Sequence, residues 1–170
     1  MDKEQVLELN GKELYDKVFE YFNIKELVSK EVYDRFKDSG KYYVISRFDP
    51  RLLQTVLFIR TQRDLSMIIN NWAWGGNLDE RGLRTNVSDI VKRKTSQGHP
   101  YISGHPLSCA VDFNIKGETA EETREWLQTI EDNLPFKIRL EHHLNGEVIS
   151  WVHLDVINQP KNPKVYLFDV

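Results

Sequence analysis

The sequence predicts an α+β protein in which N-terminal helices pack on a small antiparallel sheet. Three observations carry that expectation: apolar residues at helical spacing through the first third of the chain, an Asp49-Pro50 helix start, and an Asn145-Gly146 turn between two strand-like runs. Leu14, Tyr15, Val18, Phe19 and Phe22 mark a helix over 12–22, and Leu27, Val28, Val32 and Phe36 a second over 25–36. After Gly40, Asp49 is a capping residue and Pro50 suits the first helical position, with Leu52, Leu53, Val56, Leu57 and Arg60 along one face. Met67-Ile68-Ile69 is a short β-rich run. From Asn70 to Arg84, Trp72, Trp74, Gly75, Gly76 and Gly82 follow no period, which reads as an ordered loop with Trp72 in a packed surface turn. A short helix over 86–94, a loop over 95–106 around Pro100, Tyr101 and Pro106, and a strand over 109–115 come next. Thr119-x-x-Glu122 is a capping box opening a helix that turns Trp126, Leu127 and Ile130 inward and ends near Asn133, before Pro135. Strands over 136–144 and 147–157 flank the Asn145-Gly146 turn, and 165–168 adds an edge strand beyond Pro160 and Pro163.

With 170 residues, 40% of them hydrophobic, the chain has enough apolar side chains for one core. A single domain over 1–170 is expected, with a helical part over 1–48, a core over 49–157 and a C-terminal extension over 158–170. A formal charge of -3 lacks the excess positive charge that nucleic acid usually demands, so nucleic-acid binding is set aside. The single cysteine, Cys109, excludes an internal disulfide and a cysteine-rich zinc site. It lies in an apolar strand, where a lone thiol is a core residue rather than a nucleophile. No apolar run is long enough to span a membrane, and no apolar stretch follows the charged Met1–Gln5, so a soluble protein made in the cytoplasm is the expectation.

Any metal must therefore be held by histidines and carboxylates. Of His99, His105, His142, His143 and His153, two stand in suggestive company. His105 precedes Asp112, which alternates with Val111 and Phe113 along a strand. His153 alternates with Trp151 and Asp155, so those three share a face. Two histidines and a carboxylate are the three-ligand set of a catalytic zinc with an open position for water.

The segment Ser103-Gly-His105-Pro-Leu-Ser-Cys-Ala110-Val-Asp112, with Trp151-Val-His153, resembles the Ser-x-His-x-x-Gly-x-Ala-x-Asp and Trp-x-His motifs of the zinc D-alanyl-D-alanine carboxypeptidases and L-alanyl-D-glutamate endopeptidases. The hedgehog signalling domain shares that fold and metal site. Phe22-Asn-Ile-Lys-Glu26, Asp49-Pro-Arg-Leu-Leu53 through Arg60, Ile69-Asn-Asn-Trp-Ala-Trp-Gly-Gly76 and Glu80-Arg-Gly-Leu-Arg84 are similar to the N-terminal half of bacteriophage and Bacteroides-type members. The resemblance runs from about Phe22 to Val156. It implies a hedgehog-type peptidase fold, Zn2+ on His105, Asp112 and His153, and an arginine upstream of the first histidine holding a substrate carboxylate. Arg84 matches that position, Arg81 is the understudy, and Ser103 is the serine of the first motif.

A metal-activated water needs a general base, and a carboxylate is the usual one. Where some members carry an acid three residues before the last histidine, this chain has Ser150. The run Phe136-Lys-Ile-Arg-Leu-Glu141 loosely matches the phage pattern, with Lys137 replacing its aspartate. Regular pairing around the turn places Glu141 across from Ser150 or Trp151, near His153, and this favours Glu141 over the alternative, Glu147, beside the turn. His142 and Trp151 are expected to support the ligands from behind. The motif's glycine is Ser108 here, which strains the backbone if the position needs a positive φ.

The resemblance implies a zinc peptidase acting on peptidoglycan stem peptides, with a phage lysis or virion role and partners there. The rival is a non-catalytic phage structural or binding protein that keeps the fold and a structural zinc. Ser108 and Ser150 favour the rival; three retained ligands and Glu141 favour the enzyme.

Overall fold

The computed structural model describes residues 1–96, 98, 102–157 and 161–170. The described helices are α1 Lys3–Glu8, α2 Gly11–Phe19, α3 Ile24–Leu27, α4 Lys30–Phe36, α5 Lys41–Ile45, α6 Pro50–Arg63, α7 Asp89–Thr95 and α8 Ala120–Thr129. The strands are β1 Met67–Ile68, β2 Ala110–Ile115, β3 Ile138–Leu144, β4 Glu147–Asp155 and β5 Val165–Asp169. The architecture is α+β. Part of the loop read over 95–106, namely 97 and 99–101, and residues 158–160 of the linker before β5 lie outside the described residues. Among the described residues no helix is long and apolar enough to cross a membrane.

The helical layer is more broken than its periodicity predicts. A helix precedes the expected pair: Asp2 and Gln5 close a capping box on α1, and Val6 is buried. The helix expected over 25–36 is two, because Val28 leaves the helix to bridge Leu83 and Ser29 starts α4 by accepting from the Val32 amide at 3.2 Å. The helix α5 stands where no helical spacing was read. The helix α6 begins where expected, with Asp49 accepting from the Arg51 amide at 2.9 Å. It does not present a single apolar face: every residue from Leu52 to Ile59 is buried, with α1 and α2 packed against it. Gln54 is tolerated there because its Nε2 donates to the carbonyls of Val6 at 3.1 Å and Leu9 at 2.9 Å.

The strands form one sheet in the order β1-β2-β4-β3-β5. Every pair is antiparallel except β3 with β5, which is parallel, so the sheet is mixed rather than antiparallel. The reason lies in the connection: β4 ends beside Arg139 at the start of β3, and the chain crosses β3 and re-enters at the same end, where Val165 faces Ile138. One face of the sheet, with Val111, Phe113, Ile138, Leu140, Val152 and Leu154, belongs to a core shared with Leu57 of α6 and Leu127 of α8. Each such side chain contributes roughly 1.5–3 kcal/mol on burial.

The opposite face carries a polar row. Asp112, His153 and Glu141 are in lateral register across β2, β4 and β3. Asn145 and Gly146, at φ 53° and 83°, make the expected tight turn. The register then slips: His143 faces Val148, yet Glu141 faces His153. Extra β4 residues bulge between these pairs, and the buried guanidinium of Arg124 donates to the Trp151 and Ile149 carbonyls at 3.0 and 3.1 Å. Glu141 therefore lies opposite His153 and not opposite Ser150 or Trp151.

Candidate metal centre

His105 lies in the turn leading into β2, fully buried. Its Nδ1 is 3.0 Å from the Gly82 carbonyl, which can only accept, so Nδ1 carries the proton and Nε2 is left with its lone pair. That carbonyl comes close because residue 82 has no side chain: a Cβ there would meet the Leu27 carbonyl oxygen at 1.8 Å. Beside it, the Leu83 amide donates to Leu27 and the Ser29 amide to Leu83, at 3.0 and 2.8 Å. The Asp112 amide donates to the Arg81 carbonyl at 2.7 Å, binding this segment to β2.

His153 faces a carboxylate on its outer side. Its Nε2 is 3.5 Å from Asp155 Oδ2, and Asp155 is clamped by Arg139 through two hydrogen bonds of 2.8 and 2.9 Å. The inner nitrogens converge. His105 Nε2 lies 3.3 Å from His153 Nδ1 and 3.3 Å from Asp112 Oδ2, and His153 Nδ1 lies 2.7 Å from Asp112 Oδ1. Tetrahedral zinc with bonds of about 2.0–2.1 Å places its ligand atoms about 3.3 Å apart. The donor types, the free Nε2 lone pair of His105 and its two 3.3 Å spacings fit a zinc ion, while the 2.7 Å contact of His153 Nδ1 with Asp112 is a hydrogen bond whose proton an ion would displace. The outer contacts to Gly82 and Asp155 are those that orient a ligating histidine.

The electrostatics are those of a compressed anion–imidazole cluster. Burial depresses His105, and the neighbouring Asp112 only partly offsets it. Burial also works against charge on His153, but the hydrogen bond with Asp112 and the Asp155 carboxylate outweigh it, and the pKa is pushed up to about 10. Burial would raise Asp112, yet the two imidazoles hold it far below the usual carboxylate range. Glu141, half-buried in the same row, is raised, chiefly by burial and further by Asp112, with His153 opposing.

Compared with known proteins, the chain matches no family model, no curated protein and no solved structure.

The other residues singled out in the sequence divide into two groups. Arg84, Ser103, Glu141 and Trp151 line a cleft of about 240 Å³ together with His105, Asp112 and His153. Arg84 is buried, with Nη2 3.9 Å from Asp112 Oδ2, and its Nε has no hydrogen-bond partner among the described residues. Arg81 turns away: its Nη1 donates to Asn114 at 2.6 Å, so its share in the site is its backbone carbonyl. Glu147 is exposed beside the turn opposite Leu144 and does not line the cleft. His142, expected behind the ligands, instead points to α8, with Nε2 3.3 Å from Glu121, because the slipped register carries it past the site.

The sequence reading missed three contributors. The alternation of Trp151, His153 and Asp155 placed Asp155 on the right face without revealing its hold on His153. The Gly82 carbonyl is a backbone group and leaves no side-chain signal. Phe168 of β5 lines the cleft and meets the His153 ring edge-on at 6.1 Å between centroids, although it lies beyond the stretch that carries the resemblance. Ser108 does sit at positive φ, 65°.

Proposed function

We propose that this chain is a zinc-dependent peptidase of the D-alanyl-D-alanine carboxypeptidase and hedgehog-type fold, hydrolysing peptide bonds in the stem peptides of bacterial peptidoglycan. The observation that carries the reading is the convergence of His105 Nε2, His153 Nδ1 and the Asp112 carboxylate, with the outer nitrogen of each imidazole engaged by Gly82 or Asp155. Zinc held there supplies Lewis acidity toward a scissile carbonyl and lowers the pKa of a water toward neutrality.

The chain's own groups supply the rest. Glu141 shares the sheet face and register of His153, and its raised pKa suits a group that takes a proton from water and passes it to the leaving amine. Arg84 brings to the cleft a buried guanidinium whose Nε has no hydrogen-bond partner among the described residues, a fit for a carboxylate of the substrate. Stem peptides are rich in free carboxylates. The motif resemblance adds a phage lysis or virion role, with synthesis in the host cytoplasm and action at the wall.

The test is zinc content after purification without added metal, followed by release of peptides from purified peptidoglycan. Near-stoichiometric zinc that is lost from the buried cluster in His105→Ala is expected. Glu141→Gln keeps that zinc and loses about 10²–10⁴-fold in turnover. Zinc without cleavage by the native chain would make this a binding protein on the same fold, and no zinc uptake at His105 would overturn the metal site.

A further inference from the structure

A second group of two histidines and an aspartate lies at the far end of β3: His142, His143 and Asp169. One ligating atom from each lies within 4.8 Å of the others. The local backbone explains the meeting. Glu141 pairs with Phe168 and His143 with Asp169, so β3 spends two steps where β5 spends one, and His142 is the extra residue. A bulge of this kind re-aims side chains. The two imidazoles come together as an edge-on pair with centroids 4.1 Å apart.

Carboxylates approach from two other elements. His143 Nδ1 lies 2.9 Å from Asp169 Oδ1 on β5, and His142 Nε2 lies 3.3 Å from Glu121 Oε2 on α8. Glu121 is itself held by Arg124, whose Nε and Nη2 lie 3.1 and 3.0 Å from Oε2. Imidazole nitrogen with carboxylate oxygen is a donor set for a borderline divalent ion such as Zn2+, and β3 and β5 contribute it. Both histidines are partly exposed and Asp169 is largely exposed, so an ion has direct access from solvent.

We infer that His142, His143 and Asp169 form a second, exchangeable divalent-metal site that staples the C-terminal strand β5 to β3 of the hairpin. The consequence for the cleft is direct. Asp169 sits between Phe168 and Val170, both of which line the cleft around His153. An ion on Asp169 restrains the strand that forms this wall. The site is independent of zinc at the buried cluster.

The experiment is a zinc titration of untagged, chelator-stripped full-length chain, counting equivalents by calorimetry and elemental analysis, for the native chain, His105→Ala, His143→Ala and Asp169→Asn. The native chain is expected to bind two equivalents. His143→Ala and Asp169→Asn each lose one and keep the one that His105→Ala removes. Thermal melts sharpen the result: the zinc-induced rise in Tm persists in part in His105→Ala, and His143→Ala in chelator melts as the native chain does. A native chain that binds one equivalent, lost in His105→Ala and kept in His143→Ala, overturns the second site. One equivalent kept in His105→Ala and lost in His143→Ala upholds it and overturns the buried site instead.

Discussion

His105, Asp112 and His153 lie buried where β2 and β4 pair; His142, His143 and Asp169 stand half in solvent at the end of β3 and β5. The two clusters have the same residue types, and the difference between them is support. In the buried cluster each imidazole is anchored on its outer nitrogen, one by the Gly82 carbonyl and the other by Asp155, which is itself clamped by Arg139. Its atoms converge because neighbours that leave little room for movement hold them. At the exposed cluster the carboxylates of Asp169 and Glu121 sit directly on the imidazoles, and water competes for all of them. The same residue types are thus preorganised in one place and open to solvent in the other.

Breaking the carboxylate in each cluster tests this contrast most strongly. In chelator, Asp112→Ala is expected to cost roughly 2–3 kcal/mol by urea denaturation, since it strips a buried charged hydrogen bond from His153. Asp169→Ala leaves the urea midpoint in place. Equal effects would mean that burial does not distinguish the two clusters.

The supporting layer comes next in size. Asp155→Asn, which keeps the shape but removes the charge behind His153, is expected to weaken zinc at the buried site by about 10–100-fold in a chelator competition. Zinc at the exposed site is untouched by that change. An unchanged buried-site affinity would show that the first ligands alone set the centre.

The smallest effect concerns the turn between His105 and β2. Ser108 is at φ 65°, where a side chain costs about 1–2 kcal/mol, partly offset by the entropy of glycine. Ser108→Gly is expected to raise the unfolding free energy by about 0.5–1 kcal/mol, measured by urea denaturation, with zinc content unchanged. Destabilisation would show that the serine side chain has a packing role that outweighs the strain.

Legibility in the sequence followed the range of the signal. The Thr119-x-x-Glu122 capping box, the Asp49 cap and the Asn145-Gly146 turn each involve a few neighbouring residues, and each stands where it was read. The break at Val28 escaped because its cause is a bridge to Leu83, far along the chain. The burial of Leu52–Ile59 of α6 on all sides escaped for a similar reason: Gln54 looks like a surface residue until the carbonyls of Val6 and Leu9 are seen beside it. His105, Asp112 and His153 were singled out by residue type and, above all, by the motif resemblance, and the structure brings the three side chains together. The place of Glu141 was not legible, since local pairing puts it opposite Ser150 and only the bulge filled by Arg124 moves it opposite His153.

By itself the sequence determined the residue types available for chemistry and the elements that short-range caps, turns and periodicity specify. Those depend on a few residues whose preferences act within one turn of chain. The tertiary structure decided the rest: which nitrogen of each histidine faces inward, the slipped register between β3 and β4, and the parallel return of β5 that brings Phe168 to the cleft and Asp169 to His143. Each of these rests on contacts between residues far apart in the chain, where closing the loop and packing the core, not local preference, choose the partner.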